Sequence, residues 1–124
     1  MATILIVEDN LNILENLKET LEFAGYSVLM ARDGQEGLEL AQAQHPDLII
    51  SDIVMPKVDG FDLLRAILAE KTTESIPVIF TTALADKSSV REGMNLGAAD
   101  YITKPFHTED LLNTVSEVIK AHGG

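Results

Sequence analysis

The stretch Leu48-Ile49-Ile50-Ser51-Asp52-Ile53-Val54-Met55-Pro56 decides how this sequence folds. It opens with three consecutive apolar residues instead of an apolar–polar alternation. A strand that is apolar on both faces belongs in the middle of a parallel sheet with helices packed on each side. That strand then ends on a carboxylate, Asp52. A second run of the same kind, Ile4-Leu5-Ile6-Val7, ends on Glu8-Asp9. Gathering acids at the ends of buried strands is costly unless a cation or a covalent reaction uses them.

The same pattern extends along the chain. Short apolar, β-branched runs fall at about 3–8, 26–30, 47–52, 77–82 and 99–103. Five helical patterns alternate with them. Leu11, Leu14, Leu17 and Leu21 make one apolar stripe, with Asn10 or Asn12 as its cap. Asp33 caps a second helix that stops before His45-Pro46. Phe61, Leu64, Ile67 and Leu68 mark the third. Asp86 caps a fourth that carries Val90 and Met94 and ends at Gly97. Thr108 caps the fifth, whose apolar face is Leu111, Leu112, Val115, Val118 and Ile119. Strand–helix alternation repeated five times predicts an α/β fold, a doubly wound five-stranded parallel sheet with helices on both faces. No linker interrupts it, so residues 1–124 read as a single domain ending in His122-Gly123-Gly124.

Composition excludes several classes of function. The 124 residues carry 20 acids against 9 Lys and Arg, a net charge of −11. That balance opposes direct binding to nucleic acid or to an anionic membrane. The absence of cysteine excludes disulfides, thiol catalysis and thiolate metal sites. No apolar stretch approaches the ~18 residues of a membrane span. No basic leader precedes the first strand, so a cytoplasmic location is expected.

Ligands of open α/β sheets bind at the carboxyl ends of the strands. Here those ends carry Glu8-Asp9, Asp52, Thr81-Thr82 and Lys104-Pro105. A polar residue in one loop signifies little; acid, acid, hydroxyl and cation at four of five strand ends is a constellation. Adjacent strands lie about 4.8 Å apart, so Asp9 and Asp52 converge if the first and third strands are neighbours. Three carboxylates without thiolates or clustered imidazoles favour a hard cation, Mg2+. His45, His107 and His122 are too scattered in the pattern for zinc. A carboxylate beside Mg2+ can attack a phosphoryl group and form an aspartyl phosphate. Thr82 then offers a hydroxyl, and Lys104, roughly 10 Å away across two strand spacings, a long cationic arm.

Val7-Glu8-Asp9-Asn10, Asp52 with Met55-Pro56 and Asp59-Gly60, Thr82-Ala83, and Gly97-Ala98-Ala99-Asp100-Tyr101 leading into Lys104-Pro105-Phe106 together resemble the receiver domain of two-component response regulators, including its single-domain chemotaxis type. The resemblance spans essentially the whole chain, in order and at family spacing. It implies the flavodoxin-like strand order 2-1-3-4-5. It implies that Asp52 is the phosphoacceptor, and that Glu8, Asp9, Asp52 and the backbone carbonyl of Val54 hold Mg2+, Glu8 through water. It further implies that Thr82 and Lys104 contact the phosphoryl oxygens and that Lys104-Pro105 is a cis peptide. Gly60 would relieve the loop that follows the site. Thr82 and Tyr101 would form a switch that repacks the face of helix 4, strand 5 and helix 5. Such a domain is a signalling switch, not an enzyme: it catalyses only its own phosphorylation and dephosphorylation. Its phosphodonor would be a histidine kinase or histidine phosphotransfer protein docking on the first helix, near Glu15, Lys18, Glu19 and Glu22.

Three features qualify that expectation. Val54 and Leu84 stand where the family flanks the path of attacking water; both are apolar, so neither orients nor deprotonates water, and slow loss of the phosphoryl group is expected. The fifth helix has Lys120 as its one formal cation, which argues against an ion-paired dimer and leaves a monomer or weak homodimer. No DNA-binding element follows that helix, so output is expected through a downstream protein or a missing output domain. Three other readings fit less well. A haloacid-dehalogenase-type phosphatase wants an acid where Val54 stands. A flavodoxin-like binder wants a glycine- and hydroxyl-rich phosphate loop where Glu8-Asp9 stand. An unphosphorylated interaction module has no need of the full set of reactive residues.

Overall fold

The computed structural model describes residues 2–55, 57–83 and 87–122. Its elements alternate as the sequence predicts: β1 (Thr3–Val7), α1 (Leu11–Phe23), β2 (Ser27–Ala31), α2 (Gly34–Gln44), β3 (Leu48–Asp52), α3 (Gly60–Ala69), β4 (Val78–Ala83), α4 (Lys87–Leu96), β5 (Asp100–Lys104) and α5 (Thr108–Ala121). The five strands form one sheet in the order β2-β1-β3-β4-β5. Every neighbouring pair is parallel.

The continuous apolar runs explain the layering. Successive strand residues point to opposite faces, and here both faces meet helices. Ile4, Ile6, Leu48, Ile50, Ile79 and Ile102 pack with Leu14, Leu17, Leu21, Leu111, Val115 and Val118, the inner faces of α1 and α5. Leu5, Val7, Ile49, Val78 and Phe80 pack on the other side with Ala41, Leu63, Leu64 and Ile67 of α2 and α3. The Phe61 and Phe80 rings meet edge to face, centroids 5.5 Å apart.

Caps and stripe edges need correction at a few positions. Asn10, not Asn12, caps α1: its Oδ1 accepts from the Ile13 N–H at 3.1 Å. Asp33 caps α2 as expected, accepting from the Glu36 N–H at 2.8 Å. Thr108 does not cap α5; it is the first helical residue, His107 holds the cap position without a side-chain bond, and Glu109 and Asp110 place acid against the free amides instead. Leu11, Leu68 and Met94 are exposed, and Leu63 is buried in their stead. Gly97 ends α4 at φ +117°, a conformation L side chains rarely adopt. The expectations placed on Pro56, on Leu84, on Asp86 as a cap and on Gly123-Gly124 lie outside the described residues.

Candidate functional site

The register of the sheet builds the site. Val7 pairs with Ser51, so Glu8 and Asp52, the next residues, stand side by side. Glu8 lies two residues past Ile6 and Asp52 two past Ile50, so both side chains leave the sheet on the α1/α5 face. With Asp9 they form a group of carboxylates whose oxygens lie within 4.8 Å of one another. Lys104, two residues past Ile102, points to the same face from β5. Its Nζ reaches back across β4 to lie 3.0 Å from Glu8 Oε1 and 3.2 Å from Asp52 Oδ2. The Lys104-Pro105 peptide is cis, as the resemblance implied.

Glu8 is almost completely buried and both of its oxygens are held. Oε1 takes Lys104, and Oε2 accepts from the Asn10 N–H at 3.0 Å. Asn10 therefore caps α1 with its side chain and anchors the acid with its backbone. Burial pushes the Glu8 carboxyl above its usual range; the Asn10 N–H and the Lys104 ammonium oppose this, and the Asp52 charge adds to it. Burial pulls the Lys104 pKa down, but the hydrogen bond to Glu8 and the charges of Asp52 and Glu8 outweigh it and leave the ammonium stabilised. Both directions follow from one arrangement: a cation shared among acids that outnumber it.

The loop after Asp52 is folded tightly back. The Gly60 N–H donates to the Ile53 carbonyl at 2.7 Å. A Cβ on Gly60 would run into the Asp52 carbonyl and stand 2.8 Å from Ile53 Cα. Asp59 caps α3 by accepting from the Asp62 N–H at 2.9 Å. Val54, two residues past Asp52, is 75 % exposed. Sequence reasoning missed Lys57, which adopts φ 67° and sits 3.8 Å from Asp33 Oδ2, linking this loop to the cap of α2. A lone lysine in a polar loop carried no signal of that link. The Glu8–Lys104 pair was missed as well, since each residue had been assigned to a different ligand.

Thr82 and Tyr101 stand apart from the ion-paired group. Thr82, two residues past Phe80, faces the α3/α4 side of the sheet. Its partner on β5 is Thr103, and the partner of Phe80 is Tyr101. Thr82 and Tyr101 are therefore diagonal neighbours on one face. Tyr101 is 41 % exposed and lines a surface cavity of about 260 Å³ with Thr103, His107 and Asp110.

The donor set Glu8, Asp9 and Asp52 is all oxygen and all anionic, which fits a hard divalent cation. The chain matches the response regulator receiver domain over residues 4–116. That span includes every residue of the site. The chain belongs to the receiver domains of response regulators. This receiver is similar to protein PilH of Pseudomonas aeruginosa, 40 % identical over 119 residues, covering 96 % of this chain and 98 % of PilH. It is also 40 % identical over 120 residues to the DNA-binding dual master transcriptional regulator RpaA of Synechocystis, covering 97 % of this chain but 50 % of RpaA. The chain thus spans about half the length of several curated relatives it matches. Among solved structures, chemotaxis protein CheY4 of Vibrio cholerae superimposes with a TM-score of 0.89 at 36 % identity, covering 95 % of this chain and 98 % of CheY4. A response regulator receiver domain protein of Clostridium thermocellum superimposes with a TM-score of 0.90 at 35 % identity, covering 98 % of this chain and 96 % of that one. The receiver is a phosphorylation-dependent signalling switch of two-component systems, a class generally not counted among enzymes and one that typically uses Mg2+. Its family implies exchange with histidine kinases or phosphotransfer proteins. Among the described residues, no helix is long and apolar enough to cross a membrane.

Proposed function

We propose that Asp52 is the phosphoacceptor of this receiver and that its donor is a histidine kinase or histidine phosphotransfer protein. One observation carries the reading: Asp52 Oδ2 lies 3.2 Å from the Lys104 ammonium within a group of three carboxylates. A carboxylate oxygen of Asp52 attacks phosphorus. The new O–P bond forms as the P–N bond of a phosphohistidine breaks, and the electron pair leaves with the imidazole, which takes up a proton. Lys104 neutralises charge on the phosphoryl oxygens, and the Thr82 hydroxyl donates to another. Asp9, Asp52, the Val54 carbonyl and, through water, Glu8 would hold Mg2+, which when bound offsets the negative charge of donor and acceptor.

The face that Thr82 shares with Tyr101 supports a readout. When Thr82 turns toward the new phosphoryl oxygens, the half-exposed Tyr101 ring turns inward beside it, and the surface of α4, β5 and α5 changes. The only chemistry of the domain is on itself. The reading also takes residues 1–124 as one receiver, monomeric or weakly dimeric, in the cytoplasm, signalling through a downstream protein or an output domain outside this chain. Incubation with acetyl phosphate tests it. One phosphoryl group per chain is taken up with Mg2+ and none with EDTA. Uptake independent of the metal, or continuous turnover of a phosphomonoester, would refute it.

A further inference from the structure

Thr81 has no part in the function proposed above, yet it stands inside the site. It is the register partner of Asp52 on one side and of Ile102 on the other. Two residues past Ile79, it faces the α1/α5 side, the face of Glu8, Asp52 and Lys104. Glu8, Asp52, Thr81 and Ile102 thus form one row across four strands. Thr81 is 1 % exposed, and its Oγ1 has no hydrogen-bond partner among the described residues. A buried, unpaired hydroxyl is a standing cost to a fold. Valine has nearly the same shape and carries no such cost.

Lys104 supplies what the hydroxyl lacks. An ammonium has three donors. Glu8 Oε1 and Asp52 Oδ2 take two of them. The lysine starts on β5 and ends over β3, so its side chain crosses β4 on the face where Thr81 stands. Glu8 cannot serve both Lys104 and a divalent cation without bringing two like charges together. We propose that the Thr81 hydroxyl is the acceptor that takes over the Lys104 ammonium when Glu8 turns to the cation, keeping the ammonium above Asp52. Thr81 is then a positioning residue acting through Lys104. This inference rests on Asp52 being the phosphoacceptor.

Thr81→Val, Thr81→Ser and each substitution combined with Lys104→Ala test it, through thermal unfolding with and without Mg2+ and the initial rate of labelling by acetyl phosphate. Without Mg2+, Thr81→Val melts above the parent, because an unpaired hydroxyl has gone. With saturating Mg2+ that gain disappears, because the hydroxyl it lacks is now paired. Labelling of Thr81→Val slows about tenfold, the worth of one hydrogen bond to a charged group, and Thr81→Ser restores it. In the Lys104→Ala background, Thr81→Val no longer makes a Mg2+-dependent difference to melting. An equal melting gain with and without Mg2+ would overturn the proposal and make Thr81 a packing position. So would a Mg2+-dependent effect that persists without Lys104. If the parent takes no label, the Asp52 reading fails by itself; the melting cycle needs no phosphoryl transfer and still decides the role of Thr81.

Discussion

Lys104 Nζ lies 3.2 Å from Asp52 Oδ2 although the two residues belong to strands separated by β4. The distance is closed by the length of the lysine side chain and by the shared α1/α5 face. The same ammonium is held by buried Glu8 at 3.0 Å. Because the acids outnumber it, the Lys104 charge is worth more to the folded state than to the unfolded chain.

That difference has a pH signature. The folded Lys104 pKa is raised above the usual 10.5, so the folded chain holds the proton more tightly. The stability it contributes is fully present below pH 10.5 and is lost as pH rises through the higher folded value. Urea unfolding of the parent and of Lys104→Met therefore diverges most near neutrality and converges in strong alkali. Parallel curves at all pH values would contradict the arrangement.

Glu8 behaves in the opposite sense from a simple ion-paired acid. Its folded pKa is raised above the usual 4.5, so the fold prefers the protonated form. Stability from this group is present below pH 4.5 and lost as pH rises through the folded value. Relative to the parent, Glu8→Gln gains stability between pH 4 and pH 7 in the absence of metal, because the amide stays neutral while the buried carboxyl must ionise. Saturating Mg2+ removes that advantage, since the cation stabilises the charged parent. Denaturant melts at the two pH values, each with and without Mg2+, check both halves.

Gly60→Ala tests the tight loop. The added methyl meets the Asp52 carbonyl and Ile53 Cα, which are backbone and cannot step aside cheaply. We expect a loss of about 1–3 kcal/mol in urea unfolding together with slower labelling, because the carbonyl displaced is that of Asp52 itself. A variant as stable and as reactive as the parent would show that the loop yields readily at this point.

Val54, two residues past Asp52, is 75 % exposed and its side chain carries no polar group. It neither orients nor deprotonates a water there. The phosphorylated receiver should therefore decay slowly, and Val54→Asn should accelerate decay several-fold in a stopped-label chase. Equal and rapid decay in both proteins would refute this.

The fold was legible because Ile4–Val7 and Leu48–Ile50 are apolar without alternation, a pattern that only a two-sided burial explains. Strand order was not legible from periodicity; it came from the family resemblance, and the sheet bears it out. The edges of helical stripes were misread at Leu11, Leu68 and Met94, because a leucine or methionine one position beyond the buried arc looks the same in sequence. Thr108 was misread as a cap because a threonine serves equally at the cap and in the first turn. In the site, Glu8, Asp9, Asp52 and Lys104 were each legible as strand-end residues. The Glu8–Lys104 bond was not: it joins positions 96 apart and depends on the register of three strand pairs.

The most direct measurement is to map the phosphoryl group itself. After labelling with acetyl phosphate and Mg2+, borohydride reduction converts a phosphorylated aspartate to homoserine, which tandem mass spectrometry of the peptides locates. The account predicts homoserine at position 52 alone in the parent, and no conversion at any aspartate in Asp52→Asn. Conversion at another acid in the parent, or undiminished labelling of Asp52→Asn, would contradict it.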